Sequence, residues 1–200
     1  MKNKYIDLIR GLSDRELLFH LYMTQMILLS ISIILGFILF DHFSFLNHFR
    51  LNDIMIVKIG LPAGVLVVLV DIALMKWLPS SYYDDGGLNE RIFNNKNMLQ
   101  ILWIAALVAF CEELLFRGII QTKVGLIFAS VIFAVIHYRY LFNWYLFFNI
   151  VLLSFFIGFI YEWTNNFAVT TVMHFVIDFL LGMYIKMKHK QIDKWEGDAP

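Results

Sequence analysis

Long apolar runs, broken by short polar stretches, dominate this chain. They cover residues 21–40, 56–78, 99–120, 124–137, 142–161 and 167–185, all approximate bounds. Roughly 20 apolar residues in a helix cross a hydrocarbon layer of about 30 Å. Helices suit that layer because they satisfy their own backbone hydrogen bonds. The pattern therefore predicts an all-α fold, a multi-span transmembrane bundle of about six helices. The fourth run is short, as expected of a segment that is tilted or enters the layer only in part. Pro62 and Gly64 fall inside the second run; membrane helices tolerate both residue types.

The polar stretches divide the chain. Residues 1–20 read as a cytoplasmic N-terminal segment carrying a short interfacial helix. No small-residue cleavage site follows the first run, so that run reads as a span and not as a removable leader. Residues 21–98 read as two accessory spans and a polar connector, PSSYYDDGGLNERIFNNKNM, with DDGG as a turn. Residues 99–185 form a four-helix membrane core, and residues 186–200 a polar cytoplasmic tail expected to fray. Lys2, Lys4, Arg10 and Arg15 precede the first run, and Lys186, Lys188, Lys190 and Lys194 follow the last. Basic flanks stay on the cytoplasmic side, so a multi-pass cell-membrane protein with both termini cytoplasmic is expected.

Composition supports the membrane reading. The chain is 60 % hydrophobic and 16 % charged, with a mean hydropathy of +0.70, against about half apolar and a quarter charged in soluble domains. The lipid bilayer is thus an expected partner. The formal net charge is zero, so no global field favours nucleic acid, and none is expected as a partner. Cys111 is the single cysteine, which excludes an intrachain disulfide and suits a small buried filler.

Against this background the stretch AFCEELLFRG, residues 109–118, stands out. Ionisable groups inside a membrane are costly and mark functional sites by default. Glu113 and Arg117 are four residues apart, so on a helix they share a face and can pair. Glu112 is rotated about 100° away, which leaves it as the carboxylate to take a proton. An arginine–glutamate lock that only staples helices is an equally good reading of this spacing. Further on, VIFAVIHY puts Phe133 and His137 one turn apart, and HFVID does the same for His174 and Asp178. Three late segments thus each bring titratable groups into apolar surroundings.

EELLFR, FAVIH and HFVID, in this order, resemble the three motifs of the CAAX-protease and bacteriocin-processing family of membrane proteins: EExxxR, FxxxH and Hxxx(N/D). The resemblance covers residues 99–185 and implies a CAAX-protease-like core. It also implies peptide-bond hydrolysis in or at the membrane, acting on a peptide or membrane protein. In the prenyl-protein endopeptidase branch the first glutamate and a histidine activate water. Carried over, those roles fall on Glu112 and His137, with Glu113 and Arg117 in support. The last motif puts its histidine at His174, to meet the oxyanion, and its final polar residue at Asp178. That branch usually has asparagine there, and aspartate cannot donate a hydrogen bond unless protonated.

No cofactor is expected. Zinc is the alternative, held by Glu112, His137 and His174 in a His₂Glu set, although HExxH is absent. Two other function classes stay open: a non-catalytic bacteriocin-immunity or scaffold membrane protein, and a small proton- or solute-translocating protein. Among the remaining polar and small residues, Asp71 is expected to face the bundle. Trp77, Trp144, Tyr161 and Trp163 are expected to form an interfacial belt, and Gly118, Gly158 and Gly182 to mark close helix contacts.

Overall fold

A computed structural model describes residues 11–137, 140 and 143–197, with side chains through Lys188. The expected interfacial helix at the extreme N-terminus lies outside the described residues. The chain is all-α. In order, the helices are α1 (Asp14–Leu39), α2 (Leu61–Trp77, led in by a π-helical turn Ile56–Gly60) and the short α3 (Ser80–Tyr83) and α4 (Leu88–Phe93). There follow α5 (Met98–Glu113, continued by a π-helical stretch Leu114–Gln121), α6 (Thr122–Ile136), α7 (Trp144–Thr164) and α8 (Phe167–Gly197). Among the described residues, five stretches are long and apolar enough to cross a membrane, including one of 39 residues, Met98–Ile136.

Local chemistry sets the ends. α1 begins well before its apolar run because Ser13 and Glu16 form a reciprocal capping box, which satisfies two of the otherwise orphaned N–H groups of the first turn. Asn97 and Gln100 do the same for α5. At the other end of the chain, α8 continues helical to Gly197, where a frayed tail was expected. The connector folds back onto the bundle: Leu88 and Ile92 of α4 are buried with Leu17 of α1 and Ile104 of α5.

The 39-residue stretch is not one rod. Gly125 adopts φ +83°, ψ 170°, a conformation open essentially to glycine alone, and there the chain reverses. Phe116 and Phe133 meet with ring centroids 4.7 Å apart, and Glu112 meets His137 at 4.0 Å. The arm after Gly125 therefore runs antiparallel to the one before it. That arm is about 11 residues, or roughly 16 Å, half a span. The third and fourth apolar runs are thus one long helix and a half-length arm folded against it.

Contacts fix the directions of the other spans. α1 runs parallel to α5, with Leu17 by Ile104 and Leu28 by Cys111 and Leu115. α8 runs antiparallel to α5: Phe167 lies over Gly118 and Gly182 against Ile101. Lys186 Nζ donates to the Lys96 carbonyl, while Arg91 donates to Asp14 and to the Leu12 carbonyl. The start of α1 and the distal part of α8 therefore lie at the same end of the bundle, beside the 79–97 connector.

Close packing is built on small residues. A Cβ on Gly60 would stand 2.7 Å from the Val169 carbonyl oxygen, and one on Gly64 2.8 Å from that of Met173. These two glycines form a G-x-x-x-G face along which α2 meets the α8 backbone, as small residues allow helices to do in membranes. Gly118, Gly158 and Gly182 also lie at tight contacts. Outward faces are apolar: Ile38 is 71 % and Leu99 74 % exposed, which is surface for lipid.

Candidate active site

Glu112 lies near the middle of the long helix, about 14 residues after Met98, hence roughly 20 Å from its start. Two faces of α5 diverge at the EE pair. Glu113 points into the bundle with no exposed side chain. Glu112, 8 % exposed, stands on the neighbouring face. The helix winds as a π-helix immediately afterwards, a distortion frequent at functional sites.

The inner carboxylate is the hub. Glu113 Oε2 stands 3.5 Å from Arg117 Nε, and both side chains are fully buried. Its other oxygen, Oε1, is 3.1 Å from His174 Nδ1 on α8. His174 Nε2 in turn lies 3.6 Å from Asp178 Oδ2. Arg117 reaches further. Its Nη1 donates to Gln121 at 3.1 Å, and its Nη2 to the Ser154 carbonyl at 3.1 Å and hydroxyl at 3.2 Å. Gln121 Nε2 donates to the Gly158 carbonyl at 2.8 Å. A buried guanidinium demands such partners, because an unsatisfied buried charge is very costly.

The outer part of the cluster is Glu112 and His137. His137 caps α6 just past its last turn. Its Nδ1 is 2.9 Å from the Phe133 carbonyl, and its ring stacks on Phe133 at 4.3 Å. A carbonyl only accepts, so Nδ1 must carry a proton and Nε2 faces Glu112 Oε2 at 4.0 Å. Exposure rises outward, from 0 % for the Glu113 side chain to 8 % for His174, 16 % for His137 and 29 % for Asp178.

The structure thus brings the six ionisable residues of the three motifs together, with Glu112 and His137 on one side, Arg117, Glu113, His174 and Asp178 in a chain on the other, and Phe133 against both His137 and Arg117. Three further residues belong to this cluster: Gln121 and Ser154, which sequence reasoning passed over, and Gly158, which it singled out only as a close helix contact. Signals for them exist in the chain. Glu113, Arg117 and Gln121 repeat every four residues, and Ser154 and Gly158 are small residues four apart in an otherwise bulky α7. The fifth apolar run contributes as well, because Ser154 of α7 supplies oxygen atoms that hold Arg117. Tyr161 also departs from its expected belt position: it is 4 % exposed, and its hydroxyl is hydrogen-bonded to Thr122. Trp77, Trp144 and Trp163 are exposed.

Zinc does not fit this arrangement. Both ring nitrogens of His174 face carboxylates, Glu113 at 3.1 Å and Asp178 at 3.6 Å. Among the described residues, no group of three or more His, Cys, Asp or Glu side chains could hold a metal ion.

Residues 94–180 match the profile of a family described as "Type II CAAX prenyl endopeptidase Rce1-like". An Rce1-like domain of the CAAX-protease superfamily is thus present over this part of the chain. The matched stretch holds the whole motif cluster, from Glu112 to Asp178. Similarity to relatives runs well beyond it. The chain is 40 % identical over 173 residues to "Uncharacterized protein YpbD" of Bacillus subtilis (strain 168), covering 86 % of this chain and 92 % of that one. It is 31 % identical over 125 residues to "UPF0177 protein YxdF" of Lactococcus lactis subsp. lactis (strain IL1403), covering 60 % of this chain and 69 % of that one. No solved structure matches. The protein is therefore a multi-span membrane protein with a CAAX-protease-like core.

Proposed function

We propose that this Rce1-like protein is an intramembrane endopeptidase that cleaves a peptide bond of a peptide or membrane-associated protein with activated water. The observation that carries the reading is the facing pair Glu112 Oε2 and His137 Nε2, 4.0 Å apart. Both are acceptors when the glutamate is ionised and His137 is the Nδ1–H tautomer. Two acceptors at that spacing suit a molecule with two donors. A water about 2.8 Å from each would subtend an angle of about 90°, close to its own H–O–H angle. Such a water has both protons directed at bases and a lone pair available for a carbonyl carbon.

The reaction then runs with atoms in balance. Glu112 takes a proton from the water as its oxygen bonds to the carbonyl carbon, and the C=O π pair moves onto the carbonyl oxygen. His174 Nε2–H donates to that oxyanion, while Glu113 at Nδ1 orients the ring. The C–N bond breaks as the proton held by Glu112 passes to the leaving nitrogen. Asp178 shares Nε2 of His174 in the resting site, so a substrate carbonyl has to compete with it for that proton. Arg117 is spent on Glu113, Gln121 and Ser154 and serves to position Glu113. The basic flanks, together with the shared end of α1 and α8, support both termini being cytoplasmic and residues 99–185 being the catalytic core.

The test uses detergent-purified protein and an internally quenched peptide ending in farnesylated Cys-aliphatic-aliphatic-X, alongside the same peptide without the lipid. Hydrolysis of either is expected to fall by about 10²–10⁴-fold in Glu112→Gln and in His137→Ala, with both variants folded. Turnover that survives Glu112→Gln would overturn the reading. No hydrolysis of any such probe by the wild type would favour the immunity or scaffold class.

A further inference from the structure

Three hydroxyl side chains of the first span turn back on their own helix. Thr24 Oγ1 donates to the His20 carbonyl at 2.8 Å, Ser30 Oγ to Met26 at 2.7 Å and Ser32 Oγ to Leu28 at 2.8 Å. Such bonds are the usual way for a hydroxyl to live in an apolar helix. Gln25 differs. It is 4 % exposed, and among the described residues its buried Oε1 has no hydrogen-bond partner. A buried amide left unsatisfied is costly, and more so in a hydrocarbon layer.

The helix register says what Gln25 is opposite. On α1 the buried seam runs Leu17, Gln25, Leu28, Ser32, Gly36. Below Gln25, Leu17 and Tyr22 pack in one cluster with Val108 and Ile104 of α5. Above it, Leu28 packs with Cys111 and Leu115. Gln25 therefore falls level with the α5 positions between Val108 and Leu115. On a helix, positions 108, 111, 112 and 115 share one face. Glu112 is the polar member of that face. The orphaned amide of α1 thus sits across from the glutamate proposed above as the base, on the side away from Glu113 and His174.

A carboxylate cannot satisfy Oε1, since both are acceptors. What an orphan carbonyl oxygen with an adjoining NH₂ matches is another amide: it accepts one N–H and offers a donor to one C=O. We infer that Gln25 is a substrate-binding residue, its side-chain amide pairing with a backbone peptide group of an extended polypeptide held against Glu112. The inference rests on the hydrolase reading for the nature of the occupant. It extends the site to a helix well before the Rce1-like stretch, which begins at residue 94.

Two experiments test it, one of which needs no turnover. In a Cys111→Ala background, Gln25→Cys is treated with a small, charged, water-borne methanethiosulfonate. The comparison is Met26→Cys, at a position whose native side chain is 53 % exposed on the lipid side. The thiol introduced by Gln25→Cys is expected to react at least tenfold faster than the one introduced by Met26→Cys, and to be protected by the unlabelled probe peptide. Equal or slower reaction would mean position 25 is dry packing and would overturn the inference even if the protein is a protease. In the kinetic arm, Gln25→Met keeps the volume and removes the amide. A fall of about tenfold in kcat/KM is expected, carried mainly by KM, as for loss of a hydrogen bond to the substrate. A melting temperature that rises with kcat/KM unchanged would identify Gln25 as an unsatisfied packing residue and sink the proposal. If the Gln25→Cys thiol reacts and is protected but no peptide is cleaved, the hydrolase reading fails while the peptide-binding role of Gln25 stands.

Discussion

Replacing Glu113 by glutamine tests whether the inner carboxylate is foremost a structural counter-charge. The substitution keeps shape and volume, and the new amide oxygen can still sit 3.1 Å from His174 Nδ1. What is lost is the charge facing Arg117, whose side chain is fully buried. Removing one member of a buried pair typically costs about 3–5 kcal/mol. Arg117 keeps its hydrogen bonds to Gln121 and Ser154, which disperse part of its charge, so the lower end, about 3 kcal/mol, is expected. In a chain of this size each kcal/mol moves the melting temperature by about 2–4 °C, which gives a fall of about 6–12 °C. Intrinsic tryptophan fluorescence of the protein in detergent, heated beside Glu112→Gln, reads it directly. Glu112 is not the carboxylate that stands against the Arg117 guanidinium, and its amide should melt within about 2 °C of wild type while losing hydrolysis. A Glu113→Gln profile that overlays wild type, or equal losses in the two variants, would refute the division into a structural and a chemical glutamate.

Four other outcomes follow from the same contacts. Gly125→Ala is expected to cost about 1–3 kcal/mol from backbone strain alone, since nothing lies within 4 Å of a Cβ there; it should also widen the Glu112–His137 approach and lower hydrolysis, measured by melting and turnover together. Gly64→Ala drives a Cβ to 2.8 Å from a backbone oxygen and should destabilise by about 1–3 kcal/mol, more than Gly182→Ala, whose nearest neighbour is the Ile101 methyl at 3.0 Å. In the loop before α2, the Met55 N–H, then the Asn166 amide and Arg50, hold the Asp53 carboxyl below the usual carboxylate range against a weaker opposing effect of burial; its folded value lies below its unfolded one, so the stability it adds is full above roughly pH 4 and is lost as pH falls through the folded value, and Asp53→Asn should flatten that acid-side loss in pH-dependent melting. Reporter fusions at the two ends should both report the cytoplasm, and ends on opposite sides would contradict the shared end of α1 and α8.

Some of this was written plainly along the chain. Membrane residence follows from apolar runs of about 20 residues, because a hydrocarbon layer accepts little else. The start of α1 at Asp14 is legible in Ser13 and Glu16, a local signal that the apolar run starting near Leu21 hides. The pairing of Glu113 with Arg117 follows from helical spacing, and the three motifs are local strings that a reader can see without knowing where the helices go.

The faces of the helices are another matter. In water, a helix shows its core side by its apolar stripe; in lipid, both sides are apolar, and hydropathy is silent about which is which. The buried seam of α1 is marked by Gln25, Ser32 and Gly36, and that of α2 by Gly60 and Gly64, which become meaningful only when α5 and α8 are seen against them. The hub of the cluster is equally non-local. Glu113 and His174 are 61 residues apart, and nothing within either motif says that α8 crosses α5 at that height. Nor does hydropathy distinguish a 39-residue rod from a helix with a half-length arm folded on it. Gly125 allows the reversal, but a glycine in an apolar run permits many conformations. The packing of Phe116 on Phe133, and of the arm on α7, selects the one that carries His137 back to Glu112.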